Sequence, residues 1–161
     1  IAHISTGELL RQEIAEKTEV GKVAKKYIDQ GKLVPDDFLF TIVNERLGQP
    51  DCRDGYILDG FPRTLNQANG LETIMGSFDH SLDRAISLYA DEDALVERLV
   101  KRGENSGRSD DTSNIIRNRQ KIYWQQTAPL LDFYEERGLL DNVNGLGEIK
   151  EITERILTVI K

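Results

Sequence analysis

Asp59-Gly60-Phe61-Pro62-Arg63 places a carboxylate at the carboxyl end of a short apolar run, Gly55-Tyr56-Ile57-Leu58, and a guanidinium four residues further on. The carboxyl ends of strands are where open α/β sheets bind their ligands. Arginine offers a planar fork of donors that matches phosphate geometry. The pair suits phosphoryl transfer, in which positioning and electrostatic stabilisation of the equatorial oxygens do most of the work. More arginines gather around a second polar stretch. Arg98 and Arg102 are four apart and share a helix face. Arg108 lies in the Gly-containing loop 103–109, and Arg117 and Arg119 follow it. Isolated arginines usually belong to solvated faces or surface ion pairs. Arg98, Arg102, Arg108 and Arg119 bracketing one loop of an acidic chain point instead to an anion. Asp110 and Asp111 either fix that loop against the arginines, cap the next helix, or do both. The usual partner of such a site, a G-x-x-x-x-G-K-[ST] loop, does not occur in the 161 residues.

The elements that must position these groups alternate. The spacing predicts a strand over residues 1–5, and a helix through Leu9, Leu10 and Ile14 capped by Ser5 or Thr6. Gly21 reads as a separator before a second helix, 22–29. Residues 31–35 read as a loop, and Asp36 as the cap of a helix carrying Phe38, Leu39, Ile42, Val43 and Leu47 at helical spacing. A strand over 56–59, a helix over 64–75, a strand over 84–89 and a helix over 91–102 follow. A long helix over 112–136, a short strand over 139–143 and a helix over 147–160 complete the series. Strands alternating with helices predict a parallel sheet wrapped by helices. The length fits one domain. Acidic residues exceed basic ones by 28 − 21 = 7, which argues against a general nucleic-acid binder or an anchor for anionic membranes. A single cysteine, Cys52, rules out a disulfide framework and fits a reducing cytoplasm. No run is long enough to span a bilayer as a helix.

Taken in order, several segments resemble the adenylate kinases among the nucleoside monophosphate kinases. His3-Ile4-Ser5-Thr6-Gly7-Glu8-Leu9-Leu10-Arg11 is similar to the mouth of their monophosphate site, and Asp59-Gly60-Phe61-Pro62-Arg63-Thr64 with Gln67 to their signature. Gly103-Glu104-Asn105-Ser106-Gly107-Arg108-Ser109-Asp110-Asp111 resembles a short lid. Thr127-Ala128-Pro129-Leu130 and Val143-Asn144-Gly145 continue the match across the chain. The resemblance implies a P-loop-kinase-like fold and the reversible reaction MgATP + AMP to two ADP.

Residue by residue, the resemblance implies that Thr6 and Gln67 border the AMP adenine, with Gly60 close to it. Arg11 and Arg63 would hold the AMP phosphate. Lys32, Leu33 and Val34 would line the AMP site largely through backbone, within a mobile segment 6–35. Asp59 would help organise the waters of the magnesium that arrives with ATP. Arg98 would stack on the ATP base and Arg102 grip its phosphates, with backbone at Gly145 and Gly147 near the ATP adenine. Arg108 and Arg119 would stabilise the transferring group as the lid 103–111 orders and closes. Taken singly, Thr6 also reads as a helix cap and Gln67 as a solvated helix residue. Thr6, Thr64 and Gln67 favour adenine over the pyrimidine base of UMP/CMP kinases, the alternative within the family. No Cys or His lies near the short lid, so no zinc is expected. The family's first strand, phosphate loop and following helix would precede Ile1. The chain, residues 1–161, therefore reads as a single incomplete domain, expected to be inactive or nearly so by itself and a monomer when complete. Other readings are a module that binds nucleotide without chemistry and a partner-binding fragment.

Overall fold

A computed structural model describes residues 1–106 and 110–160. Its order is β1 (Ala2–Ser5), α1 (Thr6–Ala15), α2 (Glu19–Ile28), α3 (Asp36–Leu47), β2 (Tyr56–Asp59), α4 (Leu65–Gly76), β3 (Ala85–Tyr89), α5 (Glu92–Ser106), α6 (Ser113–Ile122), α7 (Pro129–Glu135), β4 (Leu140–Asn144) and α8 (Ile149–Val159). The alternation expected from the hydrophobic pattern is present, and the strands pair in parallel. They do so two by two rather than in one continuous sheet: β1 with β2, and β3 with β4, among the described residues. The β1–β2 register sets Ser5 opposite Asp59, so the two strands end together and deliver α1 and the Gly60 turn to one place. Ile57 on β2 and Leu88 on β3 stay 51% and 54% exposed.

The main core gathers Ile4, Leu10, Val34, Val43, Phe61 and Leu71 beneath that junction. Burying such side chains is the chief stabilising term, at about 1.5–3 kcal/mol each. A smaller cluster of Ala68, Leu130 and Tyr134 ties α4 to α7.

Several boundaries differ from the sequence reading, each for a physical reason. Gly21 does not separate two helices; it lies inside α2, whose cap is Thr18, accepting from the Gly21 N–H at 3.0 Å. A Cβ at Gly21 would stand 2.0 Å from the Glu13 carbonyl oxygen, so glycine is there to let α2 pack against the end of α1. Gly21→Ala is expected to cost about 2 kcal/mol through overpacking against backbone. An unchanged urea midpoint would contradict that contact. Asp36 is the first residue of α3 rather than its cap, which is Pro35. The helix 91–102 continues as α5 to Ser106. The long helix 112–136 is interrupted by a π-helical segment, Tyr123–Thr127, in which the Ala128 N–H reaches the Tyr123 carbonyl at 2.8 Å. Pro129 has no N–H to give and its ring would meet the preceding turn, so the helix restarts with Pro129 as the first residue of α7.

Candidate phosphate and nucleotide site

At the end of β1 the backbone turns directly into α1, and at the end of β2 into the Gly60 turn. The Thr6 hydroxyl joins the two, donating to the Gly60 carbonyl at 3.1 Å and to the Asp59 carbonyl at 3.4 Å. Thr6 is buried, so its hydroxyl serves this junction. Gly60 has φ +75°, a left-handed conformation that suits glycine, and a Cβ there would stand 2.8 Å from Arg63 Nη2. The missing side chain lets the Arg63 guanidinium fold back over the turn, where Nε donates to the Gly60 carbonyl at 2.8 Å. Thr127, at the end of the π-helical segment, donates to the Arg63 carbonyl at 2.8 Å.

Arg63 is the electrostatic centre of this region. Burial pushes its guanidinium below the ordinary arginine value. The charges of Arg119 and, more weakly, Arg11 push the same way, while Asp59 and Asp110 oppose them. The Arg11 guanidinium lies against Gly7, with Nη1 3.2 Å from where a Cβ would be. A desolvated cation near two others is a place where an anion is strongly favoured. Asp59 itself is solvent-facing, its side chain 62% exposed, with His3 Nε2 at 3.5 Å.

Arg119 also belongs to a second group. Arg102 clasps Asp111 with two bonds of 2.7 Å, Nε to Oδ2 and Nη2 to Oδ1. Arg119 Nη1 donates to Asp111 Oδ1 at 3.1 Å and to Asp110 Oδ2 at 3.2 Å. The Asp111 side chain is fully buried, and its bonds raise the Arg102 pKa above the ordinary arginine value. Gly103 makes this possible: a Cβ on α5 there would stand 2.7 Å from the Asp111 carbonyl oxygen. Asp110 and Asp111 thus hold the arginines in place, one of the two roles open from sequence; Thr112 is the cap of α6. Arg108 lies outside the described residues, as does part of the segment 103–111.

A third group forms at the end of β4. Arg98 Nη1 donates to the Gly145 carbonyl at 3.1 Å. Gly147 has φ +113°. Arg155 donates to the carbonyls of Asn144 at 2.9 Å and Leu146 at 2.6 Å, pinning the loop from α8. Lys32 and Leu33 line a cleft of about 380 Å³ with Tyr27, Asn118, Lys121 and Gln125, between the α2–α3 loop and α6. The Val34 side chain is in the core, leaving only its backbone toward any ligand. Gln67 is completely buried beside Arg63, not a solvated helix residue.

Sequence reasoning missed four participants: Asp36, His3, Thr127 and Arg155. Arg155 had a signal, since Glu148, Glu151 and Arg155 follow helical spacing after Gly147. The Asp36 contact with Gln67 spans 31 residues and leaves no local trace.

The adenylate kinase family profile matches residues 1–139. The chain is 48% identical over 161 residues to an adenylate kinase of Stenotrophomonas maltophilia (strain K279a), covering all of this chain and 86% of that protein. It is 44% identical over 160 residues to one of Nocardia farcinica (strain IFM 10152), covering 99% and 85%. With one of Bifidobacterium longum (strain NCC 2705) the identity is 47% over 158 residues, covering 98% and 85%. The α/β alternation and parallel pairing agree with the P-loop-kinase-like fold, and the arginine groups with phosphotransferase chemistry. This chain belongs to the adenylate kinase family.

Proposed function

We propose that the protein catalyses MgATP + AMP to two ADP, with the AMP phosphate held by Arg11 and Arg63. The observation that carries this reading is the half-buried Arg63 guanidinium folded over the Gly60 turn, its Nε 2.8 Å from the Gly60 carbonyl, with Arg119 and Arg11 near enough to add positive charge to the same place. A bound phosphate would bring Arg63, Arg119 and Arg11 around one group of negative oxygens. Arg102 and Arg119 are oriented by Asp111 before substrate arrives. Preorganised donors of this kind stabilise the transferring group without reorganisation during the reaction. Arg108 joins them in this reading as the segment 103–111 closes. Arg98 with the loop at Gly145 and Gly147 takes the ATP base. Lys32, Leu33 and Val34 border AMP, and Thr6 with Gln67 lies beside its adenine, the Thr6 hydroxyl staying on the Gly60 turn, with the segment 6–35 moving with the nucleotide. Magnesium enters as part of the MgATP substrate, and the exposed Asp59 carboxylate fits the task of accepting from its waters. The reading takes the protein as a cytoplasmic monomer, in keeping with the family resemblance. No helix among the described residues is long and apolar enough to cross a membrane.

The test is the initial rate of ADP formation by the full-length protein carrying this sequence, given MgATP with AMP, UMP or CMP. AMP is expected to be preferred by about 10²-fold or more, because a site built for one base leaves polar groups unpaired with another. Comparable rates with UMP would replace adenylate kinase by a pyrimidine monophosphate kinase. AMP binding without turnover would reduce the protein to a nucleotide-binding module.

A further inference from the structure

Gln67 is completely buried, and both ends of its amide are engaged before any ligand is present. Its Oε1 accepts from the Arg63 backbone N–H at 2.7 Å, and its Nε2 donates to Asp36 Oδ1 at 2.8 Å. The second Asp36 oxygen accepts from Asn66 Nδ2. Asp36 opens α3, immediately after the loop that carries Lys32, Leu33 and Val34. A backbone N–H can only donate and a carboxylate can only accept. The two partners therefore dictate the same orientation of the Gln67 amide. Turning it over would set Oε1 against a carboxylate and the NH2 group against an N–H. A primary amide has two N–H bonds and two oxygen lone pairs. One of each is used here, which leaves one of each with donor and acceptor in fixed places; with Gln67 fully buried, a base meets them once the residues covering it move aside.

We propose that Asp36 is a positioning residue that sets base preference by locking the Gln67 amide. The proposal rests on the reading of Gln67 as a neighbour of the base. A 6-aminopurine presents an amino donor beside the N1 acceptor; a 6-oxopurine presents the reverse, an oxygen acceptor beside an N1–H donor. An amide of fixed orientation complements one of these and opposes the other. An amide free to turn over serves both. Asparagine at position 36 would offer either its oxygen or its NH2 group to Gln67, so only the Arg63 N–H would still favour one orientation. Alanine would leave Arg63 N–H as the only one of the two partners.

The test compares kcat/KM for AMP and for inosine monophosphate, the matching 6-oxopurine nucleotide, in the full-length wild type, D36N, D36A and Q67A. Thermal unfolding of each variant establishes that it is folded, and near-isosteric D36N is retained if D36A is not. The AMP-to-inosine-monophosphate ratio is expected to fall about tenfold in D36N and D36A, roughly the value of one well-made hydrogen bond. The change should appear in KM rather than kcat, a split that general loosening of the fold would not produce. Q67A should also collapse the ratio. A ratio kept in folded D36N but lost in Q67A overturns the role of Asp36 and leaves Gln67 as the base reader. A ratio kept in Q67A overturns both.

Discussion

Replacing Arg63 by alanine is expected to lower kcat/KM for AMP by about 10³-fold, the scale of losing a preorganised cation or donor from a phosphoryl-transfer site. Stability should change little, by about 1 kcal/mol or less, because the half-buried guanidinium carries a desolvation cost that its removal relieves. The acceptor it leaves behind among the described residues, the Gly60 carbonyl, keeps the Thr6 hydroxyl as donor at 3.1 Å. A steady-state assay paired with a urea melt separates the two effects. Near-normal turnover would remove Arg63 from the phosphate site, and a collapsed fold would make it a structural residue instead.

Asp111→Ala should damage both properties. Its carboxylate is the buried node that receives two bonds from Arg102 and one from Arg119. Removing one partner of a buried ion pair leaves the other charges uncompensated, at a cost of about 3–5 kcal/mol for fully buried groups. Arg102 is 39% exposed, so water recovers part of that loss, and about 2–3 kcal/mol is the expected fall in unfolding free energy. The two guanidiniums also lose their fixed orientation, and a fall in kcat of about 10²-fold is expected from misplacement alone. Asp111→Asn should separate the effects. It keeps the shape and one acceptor but not the charge, so it should recover more stability than activity. Equal recovery of both would mean that Asp111 only holds the fold together.

Local signals exposed much of this arrangement. The apolar run ending in Asp59, the Gly60 turn and Arg63 are contiguous in sequence and contiguous in space. The strand–helix alternation foretold parallel pairing because sequential parallel strands need helical crossovers. What stayed hidden depends on contacts between distant residues. Pairing of β1 with β2, rather than of all strands in one sheet, is a choice among partners that periodicity does not make. Gly21 resembled a separator because glycine has two uses, as a breaker and as a point of close approach, and only the position of Glu13 distinguishes them. Asp36 looked like a helix cap because aspartate at a helix start usually is one. Its carboxylate instead turns to Asn66 and Gln67, about thirty residues away. The interrupted helix around Tyr123–Thr127 has a local signal in Pro129, which has no N–H to continue the helical bonding.

The central claim is that the arginines around Arg63 form a monophosphate site. Calorimetric titration of AMP and of adenosine into the full-length wild type and Arg63→Ala tests it most directly. AMP should bind the wild type about 10²-fold or more tightly than adenosine, since each charge-assisted bond to phosphate contributes about 1.5–3 kcal/mol. In Arg63→Ala most of that difference should vanish while adenosine affinity is kept. Equal affinities of AMP and adenosine for the wild type, or a phosphate contribution untouched by the substitution, would contradict the account.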